Sequence, residues 1–508
     1  MFRTCSIVLT LLLGSACATP HVNEPAAGSS VIPPLRAVDP FAVAADAPDG
    51  FDREAVAART RARLEALVAI NTTNGADPRP EPERPDGNEL AMARWFEQQL
   101  AGMPGVETHV LDVGNGRGNF VARLRANAPS ERPVLILGHM DVVGADPARW
   151  ESDPFVPAER DGYLYGRGVI DCKGPLAVEL AAFEYLAARR DSLRRDIILL
   201  ATAAEEGGDS VGVAWMLEHH AALFDDAEFA LNEGGRVRLS DGRVRSVNIQ
   251  TTEKVYYEVQ LVAEGTSGHG SVPQVDNALA KLARATARVH DWRAPAQLND
   301  TTREYYRRQQ ALELDERRRS AMLTLVDPAT QPDAFHKAAD LLAEDPLDNA
   351  VLRSAAALTM LQGGFRANVI PGEGRATFNL RILPGADVDA LVAAMQIAAG
   401  PDVSVTLSSE PQASPPPSPV DTALFQAMEQ AAEEMAPGVA VLPFMSTGAT
   451  DGAALREAGI PTYGLLPIPL RDEDELRMHG DNERVPLAGL AWGAEYVTRV
   501  LLGVAGPR

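Results

Sequence analysis

Two histidines and a set of carboxylates stand directly after short apolar runs in the 508-residue chain. His139 and Asp141 follow the run at 134–137 in GHMDVV. Asp171 stands in GRGVIDCKG, just ahead of a helical stretch. Glu205 and Glu206 close IILLATAAEEGG, Glu233 closes FALNE, and His479 lies in RMHGDNE. Residues two apart in an extended chain point to one side, so His139 and Asp141 share a side. Imidazole nitrogens and carboxylate oxygens suit Zn²⁺, and a pair of ions needs at least one bridging carboxylate. Two ions about 3.5–4 Å apart hold both a water nucleophile and a polarised carbonyl, and lower that water's pKa to about 7. Adjacent Glu205 and Glu206 allow one to ligate while the other takes a proton.

The elements that must position these groups are legible as periodicity. Compact apolar runs at 134–137, 197–201, 229–231 and 460–466 read as buried strands, and 177–189 reads as a helix between the first two. Helical spacing also covers 52–71 and 88–100. Continuous apolar strands separated by helices predict an α/β fold with a mostly parallel sheet covered by helices. In such sheets ligands bind beyond the carboxyl ends of the strands, where the histidines and carboxylates fall.

Residues 254–263 alternate instead, with Tyr256, Glu258 and Gln260 on one side and Val255, Tyr257, Val259 and Leu261 on the other. That pattern predicts an open-faced antiparallel sheet. Helices at 275–290 and 386–399 and strands at 374–383 and 402–407 complete a small α+β domain of ferredoxin-like type over 252–410. It is inserted between a first catalytic part at 51–251 and a second at 411–508, with the proline-rich 411–419 as hinge. Residues 293–362 read as a helical insertion within it.

Composition narrows the function. The 47 Lys+Arg against 70 Asp+Glu give a net charge of −23, which argues against a nucleic-acid partner. Residues 1–18 carry Arg3, an apolar stretch at 7–13 and then small residues, as an export signal does. Two processing routes fit: an A-x-A-like cut after Ala18, or lipidation of Cys17. The expected location is therefore periplasmic, or membrane-anchored as a lipoprotein. Residues 19–50 read as a linker. Beyond the leader Cys172 is the one cysteine, so the folded body has no internal disulfide.

GHMDVV, LYGRGVIDCKG, EEGG, NEGG, GHGSVP and MHGDNE occur in an order and spacing that resemble the co-catalytic dizinc aminoacylase/carboxypeptidase family, over roughly residues 55–500. Its members include glutamate carboxypeptidase, acetylornithine deacetylase, succinyl-diaminopimelate desuccinylase and carnosinase-like dipeptidases. The resemblance implies two Zn²⁺, with Co²⁺ or Mn²⁺ as substitutes. His139, Asp171 and Glu233 would hold one ion and His479, Asp171 and Glu206 the other, with Asp171 bridging. Asp141 would orient His139, and Glu205 would be the general base. The inserted domain would be a lid and dimerisation domain. His269 would stabilise the oxyanion, typically across a dimer, while Asn368, Arg381 and the loop around Gly448 would hold a substrate carboxylate.

The expected activity is hydrolysis of an amide bond next to a free carboxylate. A carboxypeptidase or dipeptidase acting on small peptides comes first, and an N-acyl amino acid deacylase is the alternative. A non-catalytic binding protein on the same fold is a third reading.

Overall fold

The computed structural model describes residues 39–74, 87–207, 211–409 and 412–507. The expected leader at 1–18, Cys17 and the linker up to residue 38 lie outside the described residues. The described chain begins with α1 (Arg53–Ala69), started by Asp52, whose carboxylate accepts the Ala55 N–H at 3.0 Å. There follow α2 (Glu89–Leu100), β1 (Val106–Gly114), β2 (Arg117–Leu124), β3 (Val134–His139), α3 (Lys173–Ala187), β4 (Ile197–Thr202), α4 (Val213–His219), β5 (Phe229–Ser240) and β6 (Arg243–Glu253). A second sheet opens with β7 (Val255–Glu264), the short β8 (Gly268–His269) and α5 (Ala278–Asp291). Four helices come next: α6 (Asp300–Gln309), α7 (Glu316–Val326), α8 (Pro332–Leu342) and α9 (Pro346–Leu352). Then come β9 (Ala355–Gly363), β10 (Val369–Ile370), β11 (Glu373–Ile382), α10 (Val388–Ala399) and β12 (Ser404–Leu407). The chain returns through α11 (Ala423–Met435), β13 (Ala440–Ser446), α12 (Gly452–Glu457), β14 (Thr462–Leu470) and α13 (Leu487–Ala505).

The large sheet has eight strands in the order β1-β2-β4-β3-β5-β14-β6-β13. Its centre, β4-β3-β5-β14, is parallel, as the apolar runs predict. Side chains alternate between two cores. Val134 and Ile136 pack with α1, α3 and α13, while Leu135 and Leu137 pack with α4 and Leu455 of α12. Strands buried on both faces need no polar alternation, which is why they read as unbroken runs. The β1–β2 hairpin adds an antiparallel edge that periodicity alone did not mark.

The smaller sheet has the order β9-β11-β7-β12, antiparallel throughout. Val255, Tyr257, Val259 and Leu261 pack under α5 and α10, as the alternation over 254–263 predicts. The expected helical insertion at 293–362 is only partly helical. Helices α6–α9 fill 300–352, but 355–363 is the edge strand β9. Its sequence AAALTMLQG has no period of two, and pairing with β11 along its length overrides the local preference of Ala and Leu for helix.

The four helices also have a structural task. Tyr306, Met322, Leu325 and Leu342 form a core with Met445 of β13 and Leu383 beyond β11. Arg308 donates to the Val441 carbonyl of β13 at 3.0 Å. The helices thus cover one edge strand of the large sheet, which would otherwise offer unpaired backbone groups. Among the described residues no helix is long and apolar enough to cross a membrane.

Candidate metal and substrate site

Strand ends deliver the site. His139 is the last residue of β3, Glu205 and Glu206 follow β4, Glu233 lies within β5, Asp171 precedes α3, and His479 lies beyond β14. The two oxygens of Asp171 each face an imidazole. His139 Nε2 is 2.9 Å from Oδ1 and His479 Nε2 is 3.1 Å from Oδ2. Glu206 Oε1 lies 2.8 Å from His479 Nε2 without the alignment of a hydrogen bond, and is otherwise a buried oxygen with no partner. Donor atoms of Asp171, Glu206 and His479 lie within 4.8 Å of one another, as do those of His139, Glu205 and Glu206. Glu233 is buried but falls outside these tight groups.

Electrostatics follow from that crowding. Burial, then the charge of Asp171, pushes Glu233 up to about 8. Burial and the neighbouring Glu233 and Asp451 raise Glu205 well above the carboxylate range, against the pull of His139. Burial also raises Glu206. Burial works against Asp171 too, but hydrogen bonds with His139 and His479 outweigh it and hold Asp171 low. Asp171, then Glu206, pushes His479 up to about 10. A cluster of largely buried acids that repel one another around two imidazoles is an environment that favours cations.

The donor set fits divalent metal. Tetrahedral bonds of about 2.0–2.1 Å place neighbouring ligand atoms roughly 3.3 Å apart, close to the contacts around Asp171. A metal pair there would be held by His139, Asp171, Glu206 and His479, with Glu233 beside them. Cys172 stands within reach of His139 and Asp171, but its burial raises the thiol well above its usual range, and its sulfur packs in the core by Gly138. It is a core residue.

Asp141 does more than face His139. The nearer partner of His139 Nδ1 is the Asp141 backbone carbonyl at 3.0 Å, against 3.5 Å to its carboxylate. The carboxylate instead accepts the backbone N–H groups of Glu205 and Glu206, both at 3.1 Å, and Asn74 Nδ2 at 3.0 Å. It therefore anchors the turn that presents both glutamates. A buried glutamate absent from the sequence-based assignment anchors another pair of loops. Glu483 accepts from Arg167 Nη1 at 2.7 Å, Gly168 N at 2.9 Å and Ile170 N at 2.7 Å, while Arg167 also donates to the Gly480 carbonyl at 2.9 Å. The loop carrying Asp171 is thereby tied to the loop carrying His479. Glu483 closes the motif MHGDNE, and its buried cationic partner is the signal that sequence alone lacks.

A cavity of about 570 Å³ opens beside the cluster, lined by Glu205, Glu206 and His479 at one end and Lys254, Tyr256 and Arg381 among others. The Arg381 guanidinium lies 4.8 Å from the Tyr256 ring centre and its Nη1 is buried without a partner. Gly448 also lines the cavity, but its N–H is taken by Ser446 Oγ at 3.1 Å. The same loop carries Asp451, which is half-buried, accepts from Thr202 Oγ1 at 2.7 Å, and is pushed by desolvation up to about 6. Glu253 secures the loop, accepting from Thr450 N at 3.1 Å and Thr450 Oγ1 at 2.8 Å. His269 and Asn368 are not brought to this cavity. They lie together on the exposed β8–β10 pair, where His269 faces Val369 across the ladder and the Asn368 carbonyl accepts the Gly270 N–H at 2.8 Å.

Histidines and carboxylates at the ends of parallel strands, beside a cavity with a half-buried arginine, are the arrangement of an α/β metallohydrolase. Comparison with known proteins agrees. The profile described as Peptidase family M20/M25/M40 matches residues 135–503. The chain is 29% identical to an N-fatty-acyl-amino acid synthase/hydrolase of Xenopus tropicalis, over 70% of this chain and 69% of the relative. It is 27% identical to a probable carboxypeptidase S-like protein of Dictyostelium discoideum, over 70% and 69%. Among solved structures, an M20 family metallo-carboxypeptidase from Sulfolobus solfataricus superposes with a TM-score of 0.63 at 18% identity, covering 87% of this chain and 98% of that one. The chain belongs to Peptidase family M20/M25/M40 and is a hydrolase of that family.

Proposed function

We propose that the protein is an exported amidohydrolase that cleaves the amide of an N-acyl amino acid and releases an amino acid with a free carboxylate. The observation that carries this is the unpartnered, buried Nη1 of Arg381 in the same cavity as Glu205, Glu206 and His479. A carboxylate is the natural partner of a guanidinium fork, and its place fixes where the scissile amide lies. The similarity to an N-fatty-acyl-amino acid synthase/hydrolase supports an acyl group on the other side of that amide. A second reading, a carboxypeptidase acting on small peptides, is supported by the similarity to a carboxypeptidase S-like protein.

When bound, a pair of Zn²⁺ ions would supply Lewis acidity at the carbonyl and a water acidic enough to attack near neutral pH. His139, Asp171, Glu206, Glu233 and His479 would hold them. Glu205 stays off the metals, takes the water's proton and passes it to the leaving nitrogen. Arg381 holds the carboxylate. Asp141 and Glu483 keep the ligand-bearing loops in place. The four-stranded sheet with α5 and α10 is the lid and carries the dimer contact. His269 and Asn368 are exposed on that lid and absent from the lining of their own cavity, which is why we assign their oxyanion and carboxylate roles to the neighbouring subunit's site.

The test is mass-spectrometric turnover by the zinc-loaded protein of a panel pairing N-acyl amino acids with dipeptides and longer peptides. Release of amino acids from the acylated compounds is the expected result. Release from peptides alone selects the carboxypeptidase, and silence across the panel with zinc bound overturns both.

A further inference from the structure

Lys254 lies at the junction of β6 and β7 and is 1% exposed, an unusual place for a lysine without a carboxylate partner. It shares the open face of the small sheet with Tyr256, two residues on, and Tyr256 pairs directly with Arg381 in the β7–β11 ladder. Lys254 and Arg381 both line the cavity next to the metal-ligand cluster. The ammonium has three N–H groups, and one donates to the Arg353 carbonyl at 2.5 Å. No acceptor for the other two occurs among the described residues. Arg381 donates through Nε to Asn379 Oδ1 at 3.2 Å and leaves Nη1 buried and unpaired. The acid nearest in sequence, Glu253, is committed to Thr450, Gln250 Nε2 at 2.6 Å and Arg456 at 3.1 Å. Two cations thus face one cavity with donors to spare; Glu253, on the same lining, acts on Arg381 through space but hydrogen-bonds neither cation. Burial, then the charge of Arg381, pushes Lys254 down to about 8, and burial lowers Arg381. An arriving anion relieves both.

We propose that Lys254 is a specificity-determining residue that joins Arg381 in a two-cation clamp on the substrate's free carboxylate. This rests on the amidohydrolase reading above and extends it. It also gives the helical insertion a functional task, because Arg353 directly follows α9 and its carbonyl aims the ammonium. Arginine would take one carboxylate oxygen pair from the side as a fork, and lysine would reach the remaining lone pairs as a point charge.

The experiment uses the zinc-loaded full chain and two probes, an N-acyl amino acid and the matching N-acyl amino acid carboxamide. The wild-type protein should strongly prefer the carboxylate. Lys254→Met should reduce that preference by about 10–100-fold, the worth of one charge-assisted hydrogen bond, through KM for the carboxylate. Its kcat/KM for the carboxamide should change by less than about threefold. Lys254→Gln, which keeps a donor for the Arg353 carbonyl and removes only the charge, is the second variant should the methionine protein fail to fold. An undiminished carboxylate preference in either variant, with wild-type preference intact, overturns the clamp alone. A wild-type protein that cleaves amides yet shows no carboxylate preference overturns the clamp together with the reading on which it rests.

Discussion

Glu179 sits in the middle of α3, 3% exposed, with Oε2 buried and unbonded. Burial alone pushes its carboxyl from 4.5 up to about 8. Below pH 4.5 folded and unfolded chains both hold this proton. Between 4.5 and about 8 the unfolded chain has released it and the folded chain keeps it, so stability falls as pH rises, by up to about 1.4 kcal/mol per pH unit. Above about 8 the loss is complete and constant. Across that window the loss comes to roughly 5 kcal/mol, an upper figure because water entering the helix interface would reduce it. Glu179→Met fills similar volume without a titrating group. Its advantage over wild type should therefore grow from pH 5 to pH 8 by several kcal/mol. Urea unfolding of the metal-free proteins at pH 5, 6.5 and 8 measures this, with metal removed so that ligand protonation at the site is common to both. Parallel stability profiles for the two proteins would mean that Glu179 does not hold its proton more tightly in the folded chain.

Arg381→Met should lower kcat/KM on carboxylate substrates by about 10–100-fold through KM, read by steady-state kinetics, since one charge-assisted hydrogen bond is worth about 1.5–3 kcal/mol. Glu483→Ala strands the buried Arg167 and frees three backbone N–H groups, so it should cost about 3–5 kcal/mol in chemical unfolding and weaken metal retention in dialysis. Asp141→Asn keeps the shape but weakens acceptance from the Glu205 and Glu206 N–H groups, and metal affinity measured by competition with a chelator should fall by about 10–100-fold.

The central strands were readable because burial on both faces writes itself as an unbroken apolar run, as at 134–137 and 197–201. The open-faced β7 was readable for the opposite reason, its strict alternation. The β9 strand was not, because AAALTMLQG becomes a strand through its partner β11 and not through any local pattern. Strand-end placement showed where His139, Asp171, Glu205, Glu206 and His479 would gather. It did not show that Asp141 would hold the 205–206 turn more closely than the His139 ring, since backbone N–H groups have no sequence signature. Nor did it reveal Glu483 or Lys254, whose roles depend on partners more than 90 residues away. Arg381 lines the cavity from β11 of the small sheet, while Asn368 lies beside the separate β8–β10 pair and does not.

The proposed hydrolysis depends most directly on Glu205 as the group that moves the proton. Glu205→Ala should keep the metal content of wild type, measured by elemental analysis, and lose about 10²–10⁴ in kcat on an N-acyl amino acid. A variant that holds its metal and turns over at the wild-type rate would contradict the mechanism.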